Sequence, residues 1–337
     1  MAVSLPGSIG ERSVHRWARM DARTLTRSSR DAPALRPAGM LSAGKEPLVL
    51  AGGRAPVMDR RSSSVVLLIH GLGGTPADLG RLGARLATAG MATSTLTLPG
   101  HGEMSPEILK DVNCDEWLSA VRSEIVRLRE QFAIVHIVGM CMGALLALEI
   151  AKELSVEHNG QDCLILLAPP IFLDGWALPK LRWLRHVAYR LPLIPRWIRI
   201  KESEPYGVKN TRLRRIIERK FLNADPFHYA WVPLTAIREL DRLRRKVRRG
   251  LQRLEHKTLI VQALDDELTS IESARHIRDV VNHGRRDTRV RLKVLTDSFH
   301  MICIDNENED VAQHVVSFLQ AADRTTRSTR LAGALVA

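Results

Sequence analysis

The chain has 337 residues, 45% of them hydrophobic and 26% charged, with a formal net charge of +13. This size and composition exclude a disordered chain and a small domain that depends on disulfide bonds. The arginine-rich charge is not accompanied by the sequence signature of any nucleic-acid-binding domain, so we expect no nucleic-acid partner. No apolar stretch reaches the roughly 20 residues that span a bilayer, which predicts a soluble protein.

Four cysteines, Cys114, Cys141, Cys163 and Cys303, have none of the spacings that are typical of metal sites. A core of this size also needs no disulfide framework. We therefore expect free thiols, no bound metal and a cytoplasmic location. The sequence leaves the oligomeric state open.

The first 44 residues are rich in Arg, Ser, Ala and Pro and lack sustained apolar periodicity, which predicts a disordered leader over residues 1–44. An organellar targeting segment and an over-long start are the alternatives. The folded core is expected to begin at residue 45, with a first strand over 47–50. The next apolar run, Val65 to Ile69, predicts a strand that is buried on both faces, as in parallel sheets.

The rest of the chain alternates between β-type and helical patterns on either side of one different stretch. Residues 171–254 contain four tryptophans, several prolines and many Arg and Lys, and we interpret them as a largely helical cap inserted over the cleft. The alternation predicts a mostly parallel sheet flanked by helices, built from residues 45–170 and 255–323, with a flexible tail over 324–337. The predicted helices cover 75–89, 115–131, 144–154, 271–282 and 310–321, and the further predicted strands cover 93–98, 134–138, 163–168, 258–262 and 290–295.

The pentapeptide Gly139-Met140-Cys141-Met142-Gly143 lies between a predicted strand and a predicted helix. A strand, Gly-x-nucleophile-x-Gly and a helix, in this order, form a nucleophile elbow. Glycines at both ends let strand and helix approach while the central side chain points into the cleft. The sequence thus predicts Cys141 as a thiolate nucleophile, favoured by the helix N-terminus behind it. A small buried residue in a tight turn is the alternative.

An acid and a base complete a triad in the chain order nucleophile, acid, base. His300 follows the last predicted strand and is the candidate general base. His70 and His101 lie beside glycine turns, where histidines often only hold a loop together by hydrogen bonds. Asp266, in the turn after the preceding predicted strand, is the candidate acid that orients the imidazole. The adjacent Asp265 is the alternative for this role.

The oxyanion hole is predicted to consist of two backbone N–H groups. One belongs to Met142, directly after the nucleophile, and the other to Leu72 in the glycine-rich turn over 70–74. His70 and Gly71 are expected to be structural residues of this turn. A phosphate-binding loop is rejected, because the turn lacks both the Gly-Lys-Ser/Thr ending and the GxGxxG spacing.

Six stretches carry a resemblance to a known family: HGLGGTPADLGRLGARLATAG, LPGHG, PEILKDVNCDEW, VGMCMGALLAL, VQALDDELTSIESA and SFHMICIDNENED. With them the chain resembles the α/β-hydrolase superfamily and, within it, the bacterial carboxylesterase and monoacylglycerol lipase group. The resemblance covers most of residues 46–322 and weakens in the predicted cap. It implies an α/β-hydrolase fold with a cap, an acid at the position of Asp266 and a base at that of His300.

The nucleophile departs from this group, which has Ser where the chain has Cys141. A Gly-x-Cys-x-Gly elbow is similar instead to those of polyhydroxyalkanoate synthases and dienelactone hydrolases, whose flanking motifs the chain resembles less. A thioester intermediate is intercepted by amines and thiols more easily than an oxygen ester, so acyl transfer becomes a credible reaction.

We therefore expect a cofactor-independent hydrolase of small-molecule carboxylic esters or thioesters with a hydrophobic acyl group, acting through an S-acyl intermediate on Cys141. One alternative is an acyltransferase that passes the acyl group to an alcohol, an amine or a growing polyester. Another is a non-catalytic binding protein that kept the fold and lost the serine. The basic run from Arg242 to Arg249 is expected to be a solvated helix face, with weak peripheral membrane contact as its alternative.

Overall fold

The computed structural model describes residues 64–154, 161–179, 183–191, 194–223 and 227–334, with side chains as far as residue 324. The predicted leader, the predicted strand over 47–50 and residues 335–337 lie outside the described residues. Among the described helices, none is long and apolar enough to cross a membrane.

A parallel sheet forms the centre of the fold. The described residues contain the strands β1 (Ser64–Ile69), β2 (Ala92–Leu96), β3 (Ile134–Met140), β4 (Cys163–Leu167), β5 (Arg199–Lys201), β6 (Trp231–Pro233), β7 (Lys257–Ala263) and β8 (Val290–Leu295). Six of them form one sheet in the order β2-β1-β3-β4-β7-β8, and every neighbouring pair in it is parallel. The predicted fold class, a parallel sheet flanked by helices, is confirmed.

Helices cover both faces of this sheet. The described residues contain the helices α1 (Leu82–Thr88), α2 (Cys114–Arg129), α3 (Met142–Leu154), α4 (Leu184–Ala188), α5 (Ile194–Trp197), α6 (Thr211–Leu222), α7 (Leu234–Arg248), α8 (Glu272–Asn282) and α9 (Asn308–Ala334). One hydrophobic cluster joins the sheet to α2, α3, α7 and α8, and a second joins the opposite face to α1 and α9. The inner strands β1, β3 and β4 are mostly apolar, as expected for strands that are buried on both faces.

The strand register brings the carboxyl ends of the inner strands to one edge. Ile69, the last residue of β1, pairs with Gly139 near the end of β3. The end of β7 pairs with the end of β8, so the loops that follow these two strands start side by side. Parallel sheets bind ligands at this edge, and the predicted triad residues all follow strands that end there.

The helix predicted over 75–89 is interrupted. A 3₁₀ helix (Pro76–Leu79) is followed by Gly80, which has φ +55°, and α1 starts only at Leu82. A Cβ atom at Gly80 would lie 2.4 Å from the carbonyl oxygen of Cys303. The glycine therefore breaks the helix where the chain passes close to a distant backbone segment.

The connection between β4 and β7 contains a short antiparallel pair in addition to its helices. β5 and β6 pair over three residues each, and the guanidinium of Arg199 lies 4.3 Å from the ring centroid of Trp231. The sequence predicts no strand here, because three-residue strands with partners 30 residues away leave no local periodicity.

The last helix is longer than predicted. The sequence predicts a helix over 310–321 and a flexible tail from 324, whereas α9 continues to Ala334. Asp323, beyond the predicted end, accepts a hydrogen bond from Ser64 Oγ at 3.0 Å and lies 3.2 Å from His136 Nε2. These contacts with β1 and β3 stabilise α9 beyond the predicted end of the helix at residue 321.

Candidate active site

Cys141 occupies the turn between β3 and α3 with an uncommon backbone conformation. Its φ is +52°, in the left-handed region that non-glycine residues rarely adopt. Its N–H donates to the carbonyl of Leu167 at 2.9 Å, and its own carbonyl accepts from Ala144 and Leu145 at the start of α3. Such strain persists only where the surroundings fix it, and it concentrates at functional sites.

The two glycines of the elbow are required by close backbone approach. A Cβ atom at Gly139 would lie 2.2 Å from the carbonyl oxygen of Gly143, and one at Gly143 would lie 2.3 Å from that of Ile69. Any side chain at either position would thus collide with rigid backbone. The sharp turn leaves Cys141 partly exposed at the sheet edge, while the rest of the elbow is buried.

His300 and Asp266 come together as the sequence predicts. His300 Nδ1 lies 2.8 Å from Asp266 Oδ2, and both side chains are almost completely buried. The carboxylate also accepts from the backbone N–H groups of Leu268 and Thr269, at 2.9 and 3.0 Å, and from the side chain of Gln262 at 2.8 Å. Because the carboxylate accepts from Nδ1, this nitrogen is the protonated one of the neutral imidazole.

The alternative acid is not at the triad. The side chain of Asp265 is 54% exposed and pairs with Lys209 at 3.4 Å. It lies on the solvent side of the same turn, whereas Asp266 contacts the imidazole of His300.

The electrostatic environment favours a proton on His300. Burial opposes the charged imidazolium, but the negative charge of Asp266 and the interaction with Cys141 outweigh it and raise the pKa of His300 well above 6.5. Its Nε2 atom is buried and has no fixed hydrogen-bond partner among the described residues. This nitrogen is therefore available to exchange a proton with the nucleophile or with a substrate.

The glycine-rich turn after β1 lies against the nucleophile. A Cβ atom at Gly71 would lie 3.1 Å from Cys141 Cβ and 3.7 Å from Sγ. The N–H of Leu72 donates to no backbone oxygen in the described turns and loops. The N–H of Met142, at the first position of α3, has no carbonyl within the helix to bond. Both predicted oxyanion donors thus lie beside Cys141 in sequence or in space.

His70 and His101 hold loops. His70 Nε2 accepts the N–H of Leu98 at 3.1 Å, and its Nδ1 donates to the carbonyl of Gly71 at 2.8 Å. Burial lowers the pKa of His70 to about 3 and that of His101 to about 4, so both rings are neutral at physiological pH. His101 Nδ1 lies 3.0 Å from the carbonyl oxygen of Pro99.

A cavity of about 570 Å³ opens at Cys141 and His300. Its walls come from the sheet edge and from the connection between β4 and β7, and most of its lining surface is apolar. Apolar side chains from α4, the β5 region, α6 and α7 contribute, among them Leu184, Ile198, Ile200, Phe221, Ile237 and Leu240. The site thus combines the predicted nucleophile and the predicted base with space for an apolar group.

Comparison with protein families gives a match over residues 60–307 to the Hydrolase_4 family, described as serine aminopeptidase S33. The chain belongs to this family. The matched residues include Cys141, Asp266 and His300, the three predicted triad positions.

Relatives of this hydrolase are distant in sequence and similar in length. A carboxylesterase of Bacillus subtilis is 22% identical over 271 residues, which are 80% of this chain and 97% of the relative. A thermostable monoacylglycerol lipase of Bacillus sp. strain H-257 is 22% identical over 276 residues, which are 79% and 94%. A soluble variant of the Saccharomyces cerevisiae monoglyceride lipase superposes with a TM-score of 0.64 at 16% identity, covering 78% of this chain and 87% of that one.

Two charged residues of this hydrolase's cavity were missed by the sequence reasoning. Glu267 is buried, its carboxylate accepts the N–H of His300 at 3.0 Å, and burial raises its pKa to about 7. His228 enters from the connection between β4 and β7 and pairs with Asp78. The acidic turn over residues 265–267 gave a sequence signal for Glu267, whereas no motif surrounds His228. Within the described residues, no group of three or more His, Cys, Asp or Glu is placed to hold a metal ion.

Proposed function

We propose that this hydrolase cleaves carboxylic esters or thioesters with a hydrophobic acyl group through an S-acyl intermediate on Cys141. The observation that carries the proposal is a strained cysteine at the elbow, in the same cavity as a histidine that is bonded to a buried carboxylate. The relatives named carboxylesterase and monoacylglycerol lipase support an ester substrate. The apolar cavity supports a hydrophobic acyl group.

In the first half-reaction, His300 Nε2 takes the thiol proton of Cys141 while Nδ1–H stays bonded to Asp266. The thiolate attacks the carbonyl carbon, and the electron pair of the C=O π bond moves to oxygen. The N–H groups of Leu72 and Met142 bind this oxyanion. As the intermediate collapses, the bond to the alcohol or thiol breaks and His300 protonates the leaving group.

In the second half-reaction, water enters the cavity and loses a proton to His300 as it attacks the thioester carbon. The same backbone donors bind the second oxyanion. Collapse releases the carboxylic acid, and the thiolate of Cys141 regains its proton from His300. Residues 171–254, as a cap, exclude bulk water from the apolar part of the cavity. No cofactor takes part in either step.

A second candidate function, acyl transfer to an alcohol, an amine or a thiol, is favoured by the cysteine itself. A thioester intermediate reacts readily with amines and thiols, so an acceptor in the cavity would compete with water. Both functions share the first half-reaction and differ only in the molecule that releases the acyl group.

The test compares wild type with Cys141→Ala and Cys141→Ser on p-nitrophenyl esters of increasing chain length and on an acyl-CoA. We expect turnover by wild type, loss of about 10³-fold or more in kcat for Cys141→Ala, and higher activity with longer acyl chains. Added alcohol or amine diverts the product from acid to ester or amide if transfer competes with hydrolysis. Equal trace rates in all three proteins would refute the catalytic role of Cys141 and leave a non-catalytic binding protein.

A further inference from the structure

The catalytic cavity holds a second histidine–carboxylate pair that the triad does not use. His228 Nδ1 lies 3.0 Å from Asp78 Oδ2, and both residues line the cavity together with Cys141. The side chain of Asp78 is 1% exposed and that of His228 is 12% exposed. A carboxylate buried this deeply is costly unless a cation pairs with it, so Asp78 holds His228 as an imidazolium.

His228 is fixed against the turn that carries a predicted oxyanion donor. A Cβ atom at Gly73 would lie only 3.2 Å from His228 Nε2. The N–H of Tyr229 donates to the carbonyl of Gly73 at 2.7 Å, and Thr75 Oγ1 donates to the carbonyl of Phe227 at 2.8 Å. The residues on both sides of the histidine are thus bonded to this turn, and the ring has a defined position next to it.

The carboxylates near His228 favour its positively charged form. Burial opposes its charge, but Asp78, then Glu202 and Cys141, outweigh it and raise the pKa of His228 to about 9. Glu202 Oε1 is 3.9 Å from Nε2, too far for a hydrogen bond. Three further titratable groups interact with the pair and are neutral at pH 7: the imidazoles of His70 and His101, whose pKa values are lowered, and the thiol of Cys303, whose pKa is raised by burial.

We propose that His228 acts in the reaction as a fixed positive charge on the oxyanion side of Cys141. This inference rests on the proposed chemistry of Cys141. As the S–C bond forms, the electron pair of the carbonyl π bond moves to oxygen, and the imidazolium stabilises the negative charge during that transfer. When the pair returns and the bond to the leaving group breaks, His228 still carries its proton. His228 thus stabilises the oxyanion electrostatically, whereas His300 transfers the protons.

The pH dependence of kcat/KM for a p-nitrophenyl ester, corrected for the uncatalysed rate, tests this role. Wild type is expected to lose activity as pH rises through about 9, where His228 becomes neutral. Asp78→Asn removes the carboxylate that raises this pKa, so the loss moves to lower pH. His228→Gln keeps an N–H without the charge; its kcat is expected to fall about 10²-fold with KM little changed, and the alkaline loss disappears.

A matched control removes another histidine from an ion pair. His314 lies 3.0 Å from Asp310 on α9. It is partly exposed and does not line the cavity, so His314→Gln is expected to keep the wild-type profile. Thermal unfolding checks that each variant folds. If His228→Gln does not fold, the test is the comparison of wild type with Asp78→Asn, in which the alkaline loss of activity is expected at lower pH for the variant.

Two results would overturn the proposal while leaving the proposed function intact. One is a wild-type profile without an alkaline loss near pH 9, and the other is an unchanged kcat and profile in His228→Gln, each with a normal acyl adduct on Cys141. Absence of that adduct in wild type would instead refute the proposed function, and this inference with it.

Discussion

Replacing Asp266 with Asn should inactivate the enzyme, because its carboxylate is surrounded by donors. Asparagine offers one oxygen in place of two. If that oxygen keeps the N–H bonds of Leu268 and Thr269, the new NH₂ group faces Nδ1 of His300, which must then accept. The imidazole changes tautomer, Nε2 carries the proton, and it can no longer take one from Cys141.

The expected loss is about 10²–10⁴-fold in kcat, the range that a correctly protonated general base contributes. The loss of stability should be small by comparison, about 1–3 kcal/mol. Gln262 also donates to this carboxylate, but its Oε1 is buried and unbonded within the described part of the chain. The amide of Gln262 can therefore turn over and accept from the new asparagine.

Stability against urea should also depend on pH in a way that identifies the pair. Asp266 raises the pKa of His300 in the folded state. The contribution of this pair to the free energy of unfolding is therefore fully present below the unfolded-state pKa near 6.5 and is lost as pH rises through the folded-state pKa. The stability difference between wild type and Asp266→Asn should thus be largest near pH 6 and narrow at alkaline pH.

Asp265→Asn is the matched control, since this neighbouring carboxylate is exposed and contacts Lys209 instead. It should keep wild-type kcat and stability within about 0.5 kcal/mol. Asp266 would not have this role if Asp266→Asn, shown to be folded by circular dichroism, turned over p-nitrophenyl esters at the wild-type rate, or if the two variants lost activity equally.

Three further predictions concern the elbow, the nucleophile and the basic helix. Gly143→Ala places a Cβ atom 2.3 Å from the carbonyl oxygen of Ile69, so we expect about 3 kcal/mol or more of lost stability in urea unfolding and no turnover; a stable, active variant would contradict the close approach. Cys141→Ser should still hydrolyse activated esters slowly but should no longer transfer the acyl group to added thiols, as measured by product analysis. On α7, Arg242 pairs with Asp115, and other cations of this helix also pair with nearby acids. We therefore expect that the protein does not pellet with anionic vesicles at physiological salt. If it does pellet, and if reversing these charges abolishes the pelleting, the helix contacts membranes.

The sheet was predictable because its inner strands are continuous apolar runs. β1 and β3 are buried along almost their whole length, and such runs bounded by glycine turns leave little choice of structure. The elbow was predictable for a related reason, since a Gly-x-Cys-x-Gly turn between strand and helix satisfies a specific steric need at Gly139 and Gly143.

The features that were missed depend on contacts between distant residues. β5 and β6 are stabilised by each other, and the extension of α9 by contacts of Asp323 with β1 and β3. His228 follows no motif and reaches the cavity only because the backbone around it is bonded to the turn at Gly73. A local sequence pattern contains no information about such contacts. The choice between Asp265 and Asp266, in contrast, depends only on which of two adjacent side chains points towards His300.

The most direct test of the central claim is the intact mass of the protein when turnover of a medium-chain p-nitrophenyl ester is stopped with acid. Wild type is expected to gain the mass of one acyl group, located on Cys141 by peptide mapping and released by hydroxylamine as expected for a thioester. Cys141→Ala should show no increase, and Asp266→Asn a slower one. Turnover by wild type with no adduct, or an adduct that persists in Cys141→Ala, would contradict this claim.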